Sequence, residues 1–470
     1  MNLNAFWLAA LVLAAGAAPV LAQGGSPLSF AQAQQLLLSG SDQLAASAKA
    51  VESARLRREG MQGLGGPSVA VTGMGYRYSA SADISLDPAR HALDGVVGHL
   101  PPGLGAAAPQ LPQLPSSIDL QRKANRASAS VSLLWPLYIG GLGDAVRGEL
   151  DALADEAMAD AAASAHGLQS LLVQRYFGAQ LAERAARLRE RALAGVREHD
   201  DAAQRMLRTG VISQLERLQA QAALADAEQQ ARKARGDADL AGTALARTLK
   251  AAARVQPTSP LFVASQPLPP LQGFIDAAHR HHPGLDKVQA KRRQAGALHE
   301  AQEALRRPQV LGFGMREVNT GGKPNWVAGV AVRWTLWDSI DRDALAASSQ
   351  RKIEQAELTR EQALFDIALL VEKNWLAVDQ ARTQYLAQQA QENLARELLR
   401  LRTASLREGT GTALELIDAE LNLTKVQTER AQTAHQYVQA LAALLESTGQ
   451  SDEFDRYRAQ ADIQIASDAP

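Results

Sequence analysis

Between residues 127 and 135, Ala127, Ala129, Val131, Leu133 and Trp135 alternate with Ser128, Ser130 and Ser132. A period of two predicts an extended strand with one apolar and one polar face. A second such segment has Ala328, Val330, Val332 and Trp334 interleaved with Gly329, Ala331 and Arg333. Elsewhere the period lengthens. Leu168, Leu172, Ala179, Ala182, Ala186, Leu193 and Val196 recur at spacings of three, four and seven, the seam of a helix packed along its length. From these patterns each half of the chain is predicted to hold the same elements. They are a short helix (residues 42–62; 284–307), a strand (68–78; 309–318), a second strand (126–137; 325–337), a very long helix (144–208; 338–407) and a returning helix (213–249; 412–446). Four strands are thus expected in all. The segment 79–125, rich in Pro, Gly and Ala, is expected to be an irregular extracellular loop; its counterpart, 319–324, is short.

The halves are copies. A shift of 199 positions lays Trp135-Pro136-Leu137-Tyr138 on Trp334-Thr335-Leu336-Trp337, Tyr176 on Trp375, Leu207-Arg208-Thr209-Gly210 on Leu406-Arg407-Glu408-Gly409, and Leu215-Glu216 on Leu414-Glu415. The domain plan is therefore a first repeat over 23–255, a Pro-rich linker over 256–272, a second repeat over 273–449 and a tail over 450–470. About ten residues of alternation with an aromatic at one end suit a tilted transmembrane strand; a half-buried strand of a soluble sandwich is the other reading. A helix of about 65 residues is about 100 Å long.

Composition narrows the function. The 49 basic and 50 acidic residues nearly cancel, which argues against a nucleic-acid partner. Aromatics at 4% favour long helices with thin seams over a bulky core. The chain has no cysteine, which removes disulfides, thiolate metal sites and an acylated anchor. Residues 5–22 form an apolar run ending in Val20-Leu21-Ala22. It is read as a signal peptide (1–22) cleaved after Ala22, although no Lys or Arg precedes it; a single membrane anchor is the alternative. No catalytic motif, cofactor site or metal site is expected. His279, His281 and His282 read as a solvated cluster before Pro283 rather than a metal site.

Two helical hairpins, four strands, a leader and a tandem repeat, with Trp135-Pro136-Leu137-Tyr138-Ile139-Gly140-Gly141 at a strand-to-helix turn and Gly409-Thr410-Gly411-Thr412-Ala413-Leu414-Glu415-Leu416-Ile417-Asp418-Ala419 at a hairpin tip, resemble the TolC family of outer-membrane factors. The resemblance implies a mainly α fold with a small transmembrane β part. Long helical hairpins would form a trimeric α-barrel, and four strands per chain a 12-stranded outer-membrane β-barrel. Closure has a physical basis too: an open four-stranded sheet leaves edge N–H and C=O groups unpaired in lipid, and closed barrels begin at about eight strands.

The implied function is the exit duct of a tripartite efflux or type I secretion system in the outer membrane of a Gram-negative bacterium, with a long periplasmic extension. The implied partners are a homotrimer, outer-membrane lipid, a periplasmic adaptor (membrane fusion) protein and an inner-membrane pump of RND or ABC type. Gly210, Gly409 and Gly411 would be adaptor-docking tips. Glu415 and Asp418, with Glu216, would line a periplasmic aperture that Arg217 and Arg407 partly neutralise. Trp135, Tyr138, Trp334 and Trp337 would sit at the membrane interface. Gly411 stands where the family's best-known member carries a gating arginine. An exported soluble coiled-coil scaffold or adaptor is the alternative function.

Overall fold

The computed structural model describes residues 26–98, 115–318, 325–337 and 339–465. The expected leader and the 319–324 loop lie outside the described residues. In chain order the elements are β1 (Ser26–Leu28), α1 (Phe30–Gly40), α2 (Asp42–Gly60), β2 (Ser68–Ser85), α3 (Asp87–Gly98), β3 (Ser117–Tyr138), α4 (Leu142–Arg208) and α5 (Gln214–Thr248). They continue with β4 (Val255–Pro257), β5 (Leu261–Val263), α6 (Leu271–His281), α7 (Pro283–Ala304), β6 (Gln309–Val318) and β7 (Trp326–Arg333). The chain closes with α8 (Arg342–Arg407), α9 (Ala413–Ser447), α10 (Phe454–Gln460) and β8 (Ile463–Ile465). Two compact units form. One gathers the chain up to Arg58, Leu150–Ala295 and everything from Lys352 onward; the other holds Glu59–Glu149 and Gly296–Arg351. Each draws on both repeats, so the repeat is a unit of sequence and not of packing.

The second unit carries one four-stranded sheet in the order β2-β3-β6-β7, every pair antiparallel. Its first hairpin corrects the expectation of an irregular loop over 79–125 at both ends of that segment; its middle, 99–114, lies outside the described residues. Pairing runs on through Ser85↔Ser117, and α3 follows β2. The residues that extend these strands still alternate, but with the apolar set on the opposite face, so the strand signal at 68–78 changes side where the sequence reading ended it. β7 ends at Arg333, four residues short of the expected boundary. Gly140, at φ +72°, makes the sheet-to-helix turn; a Cβ there would lie 2.3 Å from the Ala304 carbonyl oxygen. Arg307 donates to the Gly140 carbonyl at 2.9 Å, so the end of α7 is locked against this turn.

The first unit is helical, and its core is aromatic. Phe177 of α4 packs on Phe30 of α1 at 5.3 Å between ring centroids, on Phe262 of β5 at 5.8 Å and on Phe454 of α10 at 6.0 Å. The Pro-rich segment expected as a linker is therefore part of the core. Leu261, Phe262 and Val263 are all buried, β4 pairs with β1, and β5 pairs with β8. The tail is likewise internal through Phe454 and β8. These three-residue strands escaped the reading because they are too short to show a period. The Tyr176 hydroxyl donates to the Leu28 carbonyl at 2.7 Å and accepts from the Thr258 and Ser259 N–H groups. Its repeat mate, Trp375, donates to the Pro269 carbonyl at 3.0 Å. Each thus holds the residue two places before a lead-in helix, α1 or α6. Phe262→Ala should remove about 3–5 kcal/mol of stability, read as a lower denaturant midpoint for loss of helical circular dichroism in detergent.

Candidate functional site

The two helix-to-helix turns have one geometry. α4 ends with the Gly210 N–H donating to the Leu207 carbonyl at 3.0 Å and the Val211 N–H to Met206 at 2.8 Å. α8 ends with Gly409 donating to Leu406 at 3.2 Å and Thr410 to Ser405 at 2.9 Å. Both are Schellman closures, which require a left-handed residue; Gly210 has φ +68° and Gly409 φ +74°. Space around the two glycines is open, but a Cβ on Gly411 would meet Ser405 Cβ at 3.0 Å. Any side chain at 411 therefore requires the end of α8 to give by a few tenths of an ångström.

The returning helices begin with capping boxes. Ser213 accepts from the Glu216 N–H at 3.2 Å, and the Glu216 carboxylate accepts from the Ser213 N–H at 2.7 Å and its hydroxyl at 2.9 Å. These bonds hold the Glu216 carboxyl below its ordinary pKa. Thr412 and Glu415 repeat the arrangement, both bonds at 3.2 Å. Two of the three expected aperture carboxylates thus have a local task, satisfying orphan N–H groups at a helix start. The signal was present as Ser213-Gln214-Leu215-Glu216 and Thr412-Ala413-Leu414-Glu415. Asp418, one turn further, is exposed and has no hydrogen bond or ion pair among the described residues.

The cations differ from expectation. Arg217 does not neutralise a ring: it is buried, and both its terminal nitrogens donate to the two oxygens of buried Asp200 on α4, Nη2 to Oδ2 at 3.1 Å. The cation that reaches Glu415 is Arg402 of α8, at 3.1 Å, and not Arg407. The structure brings both tips together. Met206, Val211, Ile212, Leu406 and Leu414, with Gly409 and Gly411, line a cavity of about 210 Å³. Ile417 of α9 is buried with Val196 and Ala203 of α4 and Ala220 and Ala227 of α5. His199 of α4 pairs with Glu420 of α9 at 3.2 Å.

In the other unit, Trp135 and Tyr138 lie at the end of β3, and Trp334 and Trp337 follow the end of β7, all exposed. Trp334 Nε1 donates to the Arg306 carbonyl at 3.2 Å. Among the described residues no helix is long and apolar enough to cross a membrane, and no group of three or more His, Cys, Asp or Glu is placed to hold a metal.

Removing the Arg217 guanidinium strands a buried carboxylate. Arg217→Met should cost about 3–5 kcal/mol, and adding Asp200→Leu should restore most of it. Denaturant unfolding of the three proteins measures this; a cost for Arg217→Met under about 1 kcal/mol would be that of a solvated pair.

The family model described as "Outer membrane efflux protein" matches residues 105–249 and 274–450. Several solved structures share the fold. The CmeC outer membrane channel of Campylobacter jejuni has a TM-score of 0.73 at 13% identity, covering 92% of this chain and 90% of that one. A membrane protein from Pseudomonas aeruginosa has 0.72 at 16% identity, covering 89% and 93%. The MtrE outer membrane channel of Neisseria gonorrhoeae, in its open state, has 0.68 at 17% identity, covering 90% and 89%. Comparison with curated protein sequences gives no match.

Proposed function

The chain belongs to the outer membrane efflux protein family, and from that premise we propose that three copies form the exit duct of a tripartite efflux or type I secretion system. The observation that carries this reading is the sheet β2-β3-β6-β7, whose two edges have no strand partner among the described residues. One of its faces carries Val69, Val71, Val330 and Val332 exposed, Val71 at 74%. In a soluble scaffold those side chains would stand in water and the edges would invite aggregation. In lipid they are stable only if the edges pair, and three copies give a twelve-stranded barrel. The exposed stripe Leu358, Phe365, Leu369 and Leu376 on α8 supports the same assembly. Its spacings of seven, four and seven suit a neighbouring helix.

An adaptor hairpin docks at the Gly210 and Gly409 tips, where the apolar cavity lies between two turns. The adaptor in turn connects the duct to an inner-membrane pump of RND or ABC type. Asp418 supplies the aperture charge, one carboxylate per copy, while Glu415 and Glu216 are held by their capping boxes and contribute less. A ring of carboxylates at a constriction selects cations and binds multivalent ones. In planar bilayers, Asp418→Asn should weaken block by a periplasmic-side multivalent cation about tenfold, equivalent to about 1.4 kcal/mol, and Glu216→Gln should leave it near wild type. Unchanged block in Asp418→Asn would place the aperture elsewhere.

A further inference from the structure

The β2–β3 ladder pairs without a register shift from Ser68↔Leu134 to Ser85↔Ser117, so its side chains alternate faces without interruption. Near its start, one face holds Val69, Val71, Val131 and Leu133 and the other Ala70, Thr72, Ser130 and Ser132. Past Tyr76 the faces exchange character. The face continuous with Val71 becomes Arg77, Ser79, Ser81 and Asp83, with Asp119 and Gln121 opposite. The face continuous with Thr72 becomes Tyr78, Ala80, Ala82 and Ile84, with Leu120 and Ile118 opposite the last two and Arg122 opposite Ala80. Among the described residues β6 pairs with β3 as far as Ala129↔Val318, so from Ser79↔Lys123 to Ser85↔Ser117 the hairpin stands beyond the described part of the four-stranded sheet.

Lipid does not account for this pattern. The face that would touch lipid below is charged and hydroxylated above, as expected once the hairpin leaves the membrane. The apolar face is the one a closed barrel turns inward. Among the described residues it has no cover: Ile84, Ile118 and Leu120 are 48%, 42% and 55% exposed. In a barrel, the inward face of each copy looks across the lumen at the same face of the other two.

Resting on the trimeric barrel proposed above, we infer that the β2–β3 hairpins of the three copies lean over the outer mouth and pack Ile84, Ile118 and Leu120 against one another, closing the duct from outside. Reach permits it. The seven paired residues past Tyr78 extend about 23 Å at about 3.3 Å each. Twelve strands about 4.8 Å apart and tilted about 40° enclose a radius of only about 12 Å. The closure is apolar, so it excludes hydrated solutes. Being made of side chains from separate copies, it can part without breaking any strand pairing.

The chain has no cysteine, so single cysteines report cleanly. In intact cells treated with a membrane-impermeant thiol oxidant, Ile118→Cys and Leu120→Cys should each convert from monomer to disulfide-linked dimer on denaturing gels. Gln121→Cys, on the outward face, should stay monomeric while reacting readily with an impermeant maleimide. Leu120→Asp should raise uptake of a large hydrophilic antibiotic that the wild-type channel excludes. Ile118→Cys and Leu120→Cys labelling as fast as Gln121→Cys without dimers would overturn the closure. Protection of both from the maleimide without dimers would overturn it too, because a segment of the same chain would then cover the face. Failure of the Gln121→Cys protein to extract as a trimer would instead overturn the barrel itself.

Discussion

A peptide group in the hydrocarbon of a membrane has no water to bond, and an unmade hydrogen bond there costs several kcal/mol. The sheet β2-β3-β6-β7 satisfies its inner ladders, and among the described residues no strand pairs with the outer sides of β2 and β7. The proposed assembly follows from that constraint. A single chain with this sheet is incomplete in lipid, and only pairing β7 of one copy with β2 of the next removes the edges. The same closure gives each strand face an inside and an outside. It thereby gives meaning to the alternation along β2 and β3 and to the exchange of faces past Tyr76.

The helices answer a different need: to run side by side for most of the chain with little bulk between them. Their seam is largely alanine, with Ala179, Ala186, Ala220, Ala227 and Ala231 all buried, and small residues let backbones approach closely. Large side chains are concentrated instead where α1, β5 and α10 meet α4. Four of the eight phenylalanines, Phe30, Phe177, Phe262 and Phe454, stack there. Tyr176 and Trp375 fasten the lead-in segments of the two repeats to this region through their polar ends, as buried aromatics with a donor commonly do.

Much of this was legible because it is periodic. Odd-position apolar residues from Ala127 to Trp135 marked β3, and the 199-residue shift carried Gly210 onto Gly409 and so located both turns. What escaped had a physical reason. The outer half of the β2–β3 hairpin keeps its period but swaps its apolar face, which a search for one continuous face reads as an end. β1, β4, β5 and β8 are three residues long, too short to show a period, and only β5 is a wholly buried apolar run, Leu261, Phe262 and Val263. At the tips, Glu216 and Glu415 stood out as charges near a glycine turn, while their engagement as capping-box partners sat in the Ser-x-x-Glu and Thr-x-x-Glu spacing. The partner of Arg217 was beyond sequence reach, since Asp200 lies on the antiparallel helix across the turn and only the fold brings the two together.

The central claim is that one chain cannot close its own sheet. Counting chains in the detergent-extracted particle, by light scattering with the detergent contribution subtracted, tests it most directly. Three chains per particle, separating into single chains only after heating in denaturing detergent, is the predicted result. A stable, folded particle containing one chain would contradict the account.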